Sequence, residues 1–209
     1  MRPIGHIAGA AFAAAALLAA SPLAAADIEA TFITASDATF SRPHDLALSP
    51  DGERLYVADV GNDVIKVLDA HTLETLGEVG RGDLSSPHDV AFDAEGRLIV
   101  ADSGNDRVVV FSLDGSAPLH LAGWRQGLGS PEGVVAAAHG WIYVTNASEH
   151  NVMLLWGGKV VTRAGVRGKG ENEYLRPHDV AVAADGTVYV ADPGNDRVQM
   201  LTAELEYIG

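Results

Sequence analysis

Cysteine is absent from the 209-residue chain. That excludes disulfides, thiol nucleophiles and metal-thiolate sites, and it leaves stability to packing alone. Positive charge is scarce as well: 14 Lys and Arg stand against 28 Asp and Glu, for a net charge of −14. Such a surface repels phosphate backbones, which argues against nucleic acid as a partner, while it attracts cations. No G-x-S-x-G sequence occurs, so the hydrolase nucleophile turn is missing too. Sustained helical periodicity is lacking throughout, and outside the N-terminus no run is apolar enough to span a membrane.

The one long apolar run lies at the start, in "IAGAAFAAAALLAA", preceded by Arg2 and followed by "SPLAAADIE". An A-x-A pattern at Ala24 and Ala26 predicts a secretory signal peptide over 1–26. The expected location is therefore the periplasm or outside the cell, with no membrane attachment after cleavage. The remaining 183 residues lose one basic residue and no acid, so the mature charge falls to −15. They suffice for a single domain, 27–209, with a sizeable core.

What the sequence does contain is repetition. "PHDLALSPDGERLYVADVGNDVI" at Pro43 returns as "PHDVAFDAEGRLIVADSGNDRV" at Pro87 and as "PHDVAVAADGTVYVADPGNDRV" at Pro177, with a degenerate copy from Pro131. The prolines are spaced by 44, 44 and 46 residues. A period in the forties built of short β-rich runs predicts an all-β fold, a β-propeller with one four-stranded antiparallel blade per repeat. In the second copy the strands are "HDVAF", "RLIVAD", "RVVVFS" and "APLHLAG". Blades are expected at about 41–80, 85–123, 129–165 and 175–209, with an extra N-terminal strand near 28–35 in "IEATFITA".

The turn after each second strand reads "DVGND", "DSGND" or "DPGND", and "NASEH" in the third copy. Six or more oxygen ligands are needed for calcium and the turn offers too few. A structural turn is expected instead, with Asp and Asn capping the backbone and Gly in the left-handed position. Arg107 and Arg197, which follow it, are expected to brace a neighbouring loop.

The pattern "RPHDVAVAADGTVYVADPGNDRVQML", preceded by "GVRGKGENEYL", resembles an NHL repeat from about Ser41 onward. Copies two and four match well, copy one has Val64 in place of the Arg, and copy three is eroded at "PEG" and "NASEH". The resemblance implies a propeller, commonly of six blades, for which about 260 residues would be needed at this period. Four repeats therefore give either a closed four-bladed ring or a partial larger ring that associates with a partner, forming an oligomer.

The first strand of each propeller blade lines the axis, so equivalent residues of different repeats converge there. One such position holds His44, His88, Glu132 and His178; the next holds Asp45, Asp89, Gly133 and Asp179. Three imidazoles and a carboxylate suit a divalent metal, zinc above all, with the aspartates orienting the rings. Packing and hydrogen bonding at the strand entrance is the other role open to these histidines. A second resemblance bears on the choice: "RPHDLAL", "SPHDVAF" and "RPHDVAV" look like the ligand-bearing segments of the peptidyl-α-hydroxyglycine amidating lyases. That resemblance implies zinc on His44, His88 and His178. The chain departs from those enzymes where a Gly-Tyr pair is expected, having Val60-Gly61, Ser103-Gly104 and Pro193-Gly194, and it lacks their disulfides.

Two functions thus stand side by side. One is an exported propeller presenting its loops and channel mouth to a protein, peptide or small-molecule ligand, with or without a bound metal. The other is a metal-dependent lyase or hydrolase using His44, His88 and His178 as ligands and Glu132 as fourth ligand or general base. "GRGD" at Gly80 is read as chance, the Gly-rich "GVRGKG" lacks a following helix to hold phosphate, and His139 and His150 are read as solvated turn residues. Trp124, Trp141 and Trp156 gather about the third copy, as blade core or as a binding edge.

Overall fold

The computed structural model describes residues 31–37, 39–113, 119–125 and 127–209. The expected signal peptide lies outside the described residues. Of the expected N-terminal strand, residues 31–35 carry no strand, and 28–30 lie outside the described set. Residues 35–209 form one compact unit. Among the described residues no helix is long and apolar enough to cross a membrane.

Alternating apolar positions build the blades in the expected register. Blade 1 comprises β1 (Pro43–Leu48), β2 (Arg54–Asp59), β3 (Val64–Asp69) and β4 (Thr75–Val79). Blade 2 comprises β5 (Pro87–Phe92), β6 (Leu98–Asp102), β7 (Arg107–Ser112) and β8 (Leu119–Trp124). Blade 3 comprises β9 (Pro131–Ala136), β10 (Trp141–Asn146), β11 (Asn151–Trp156) and β12 (Lys159–Ala164). All three are four-stranded antiparallel meanders.

A short parallel pair, β13 (Val166–Arg167) and β14 (Glu173–Tyr174), leads into blade 4. That blade has β15 (Asp179–Val182), β16 (Val188–Asp192) and β17 (Arg197–Leu201). Its fourth place is taken by the C-terminal "LEYIG": Tyr207 bridges to Leu201, and the Ile208 N–H donates to the Met200 carbonyl at 2.8 Å.

The blade faces make three apolar joints. Tyr56, Ala58, Ile65 and Val67 of blade 1 pack on Val90, Leu98, Val100 and Val109 of blade 2. Ile99, Ala101, Val108 and Val110 meet Val134, Ile142, Val144 and Met153 in the second joint. Tyr143, Val152 and Leu154 meet Val180, Val188, Val190 and Leu201 in the third. Each fully buried Val, Leu or Ile contributes roughly 1.5–3 kcal/mol. No such cluster joins blade 4 to blade 1 among the described residues.

The D-x-G-N-D turns are structural, as expected. Asp59 accepts the Ser41 N–H and the Asn62 amide, both at 2.7 Å. Asp192 does the same for Leu175 and Asn195, and Asn146 accepts the Gly129 N–H at 2.6 Å in the eroded copy. Arg107 reaches the Asp83 carboxylate and carbonyl, which occupies the acid of "GRGD". Arg197 likewise donates to the carbonyls of Lys169, Gly170 and Glu173 and fixes the "GVRGKG" loop. One expectation is corrected: the left-handed residue is not the glycine but the last Asp of the turn, at Asp63, Asp106 and Asp196.

The turn glycine serves close approach instead. A Cβ on Gly104 would lie 2.8 Å from the Ser85 carbonyl oxygen, and one on Gly61 2.7 Å from that of Ser41. Backbone cannot yield as a side-chain tip does. Gly104→Ala is therefore expected to cost about 1–3 kcal/mol, read as a lower denaturant midpoint at unchanged slope.

A candidate ligand site at the blade axis

The first strands β1, β5, β9 and β15 bring their opening residues together. The His44 ring lies 4.8 Å from His88, edge to face, and 5.0 Å from His178, centroid to centroid. Glu132 is buried beside them, with one oxygen 3.3 Å from His178 Nε2 and the other accepting from Arg176 at 2.9 Å. All four predicted site residues are thus neighbours. His44, Glu132 and His178 border a cleft of about 120 Å³ that Asp45, Asp89, Gly133 and Asp179 complete, while His88 stands behind His44 and does not line it.

The tautomers follow from the hydrogen bonds. His44 Nδ1 faces the His88 carbonyl at 3.0 Å, and His88 Nδ1 faces the Ser86 carbonyl at 2.9 Å. A carbonyl only accepts, so both Nδ1 atoms carry a proton, and in the neutral ring each Nε2 keeps the lone pair. Backbone carbonyls, not the expected aspartates, therefore orient these two rings. Burial and the neighbouring His44 and His178 push the His88 imidazole below its ordinary pKa, against the Ser86 carbonyl and Glu132. Neutral imidazoles with a free Nε2 are ligand donors of the kind zinc accepts. As the rings stand, no three histidine or carboxylate groups among the described residues are set to hold a metal ion.

Gly133 breaks the row of aspartates for a steric reason. A Cβ there would come within 2.8 Å of the Asp179 backbone and 2.9 Å of the His178 carbonyl. Its N–H donates to Thr145 Oγ1, which in turn donates to the His178 carbonyl at 3.0 Å. Two features were not foreseen. Asp89 hydrogen-bonds to Asp45, which presses two carboxyls into one site. His150, expected to be merely solvated, accepts the Arg176 N–H at 3.0 Å. Its place in the third "NASEH" copy, where the other copies have Asp, was the available signal.

The NHL repeat profile matches residues 84–111 and 174–200. The chain carries NHL repeats. It is 31% identical over 174 residues to the human E3 ubiquitin-protein ligase TRIM32, covering 72% of this chain and 24% of that one. Among solved structures it resembles the hydrazine synthase of Kuenenia stuttgartiensis, with a TM-score of 0.66 at 18% identity over 86% of this chain and 52% of the other. It also resembles a catalytically inactive histidine-to-alanine variant of virginiamycin B lyase from Staphylococcus aureus with quinupristin. The TM-score there is 0.64 at 14% identity, over 80% of this chain and 55% of the lyase. These likenesses show the propeller fold. The NHL-repeat chain spans a quarter of the ligase and about half of the two solved structures.

Proposed function

We propose that this chain is an exported NHL-repeat binding module whose ligand sits at the axis, on His44, His88 and His178 with Glu132. One observation carries the reading: two imidazoles have Nδ1 committed to carbonyls and Nε2 left over, next to a buried carboxylate. Nitrogen and carboxylate donors in this number suit a divalent transition metal, zinc first. His44 is exposed at the cleft and the His178 side chain is 44% exposed, so both rings are open to an incoming ligand.

The test is a zinc titration of chelator-treated protein by calorimetry, with elemental analysis of the product. About one zinc per chain is expected in the native protein, and a loss of at least 100-fold in affinity in the His44→Ala/His178→Ala variant. Native protein that takes up no zinc would overturn the site.

A second reading is a zinc-dependent lyase, favoured by the histidine whose replacement inactivates the virginiamycin B lyase to which this chain is similar in fold. When bound, zinc would supply Lewis-acid polarisation of a substrate oxygen. Here Glu132, already held by Arg176 and His178, would position the ligand rather than abstract a proton. Turnover of a peptidyl-α-hydroxyglycine or of quinupristin by zinc-loaded protein, absent from the double-histidine variant, would establish the lyase; zinc binding without turnover would leave the binding module.

A further inference from the structure

The three joints inside the chain share one pattern. On the giving side, the cross-strand pairs Tyr56–Val67 and Ala58–Ile65, Ile99–Val110 and Ala101–Val108, and Tyr143–Leu154 and Thr145–Val152 all lie buried against the next blade. The same places in blade 4 hold Tyr189–Met200 and Ala191–Val198. There the pattern is apolar but uncovered, with Val198 62% exposed. On the receiving side, Val90 and Phe92 of β5 pack into the first joint. Their counterparts in β1 are Leu46 and Leu48, 58% and 57% exposed.

The polar part of each joint repeats as well. The residue before each blade-opening proline has positive φ: Arg42, Ser86, Ser130 and Arg176. Its N–H donates to the left-handed turn residue of the preceding blade, Ser86 to Asp63 at 2.7 Å, Ser130 to Asp106 at 2.8 Å and Arg176 to His150 at 3.0 Å. Asp196 closes blade 4 with no such donor, and the Arg42 N–H opens blade 1 with no such acceptor, among the described residues. The two ends of the chain therefore present the two complementary halves of a fourth joint. Large exposed apolar faces of this kind mark interaction sites.

We propose that a second copy of this chain occupies these faces, blade 4 of one molecule packing on blade 1 of the other. The joint is head-to-tail, so two copies related by a two-fold axis close on themselves with two identical joints. They make eight blades, the upper end of the range that propellers use. Such a ring separates His44 from His178 of the same chain in exchange for burying both faces, so the ring and the single-chain axial ligand site are alternative states, and the test keeps metal out.

The test is the solution mass of the purified protein, in chelator, by sedimentation and light scattering from micromolar to near-millimolar concentration. The chain mass is fixed beforehand by mass spectrometry. The expected result is a rise to twice the chain mass. Val198→Asp and Leu48→Asp change exposed positions and should leave the far-UV spectrum intact, while each alone stays at the single-chain mass. Mixed in equal amounts they should recover a two-chain species, because one brings an intact blade 1 face and the other an intact blade 4 face. Native protein at the single-chain mass throughout would overturn the proposal. So would association of either variant alone, or a mixture that stays monomeric.

Discussion

Asp102→Ala is expected to cost about 3–5 kcal/mol of folding stability. The carboxylate is fully buried and serves three donors: the Ser85 N–H at 2.7 Å, the Asn105 amide at 2.9 Å and Arg107 Nε at 2.5 Å. Removing it unties the loop before blade 2 from the turn that follows β6. It also strips a buried guanidinium of one of its two carboxylate partners, leaving the 2.8 Å contact with Asp83. Those two carboxylates hold the Arg107 pKa above its ordinary value although burial alone would lower it. Asp59→Ala in blade 1 is the internal control, because Val64 stands where the other turns have Arg. There only neutral donors are orphaned, and a loss of roughly 1–3 kcal/mol is expected. Denaturant midpoints of the two variants decide the matter: equal losses would show that the ion pair adds nothing to the turn.

That pair of turns also shows what the sequence could carry. The proline spacing, the alternating strands and the acid of each turn all repeat, and each repeat is a local statement that needs no knowledge of its neighbours. The strand plan and the bracing roles of Arg107 and Arg197 were legible for that reason. The gathering of His44, His88, Glu132 and His178 was legible as well, because equivalent positions in a propeller meet at the axis. Relations between blades were not. The turn glycine looked like the left-handed residue because glycine tolerates positive φ, whereas Asp63, Asp106 and Asp196 take it. Their side chains are then free to accept the next blade's N–H, which no single repeat reveals. The assignment of ring orientation to Asp45 and Asp89 failed likewise, since carbonyls of Ser86 and His88 were nearer.

The two aspartates act on each other instead, and this gives the second large effect. Asp89 is 6% exposed. Its oxygens accept the Val90 and Val134 N–H groups at 2.6 and 2.5 Å, and its carboxyl also hydrogen-bonds to Asp45. A second carboxyl so placed favours the protonated form of Asp89. Burial first, then the bond to Asp45 and its charge, push the Asp89 carboxyl up to about 10 against the Val134 N–H, from an ordinary 3.8. The folded protein thus holds a proton that the unfolded chain releases above its ordinary carboxyl range. The stabilisation is complete below that range and is lost as pH rises toward about 10. In metal-free protein the stability should fall by at most about 1.4 kcal/mol per pH unit through neutrality, or roughly 4 kcal/mol between about pH 5 and 8. Asp45→Asn removes the neighbouring charge and offers an amide N–H to Asp89, which lowers the Asp89 pKa while burial still raises it. Denaturant curves across this range should then fall less steeply for the variant and cross the native curve, with the variant the more stable protein at alkaline pH. Parallel curves for the two proteins would show that Asp45 does not raise the Asp89 pKa.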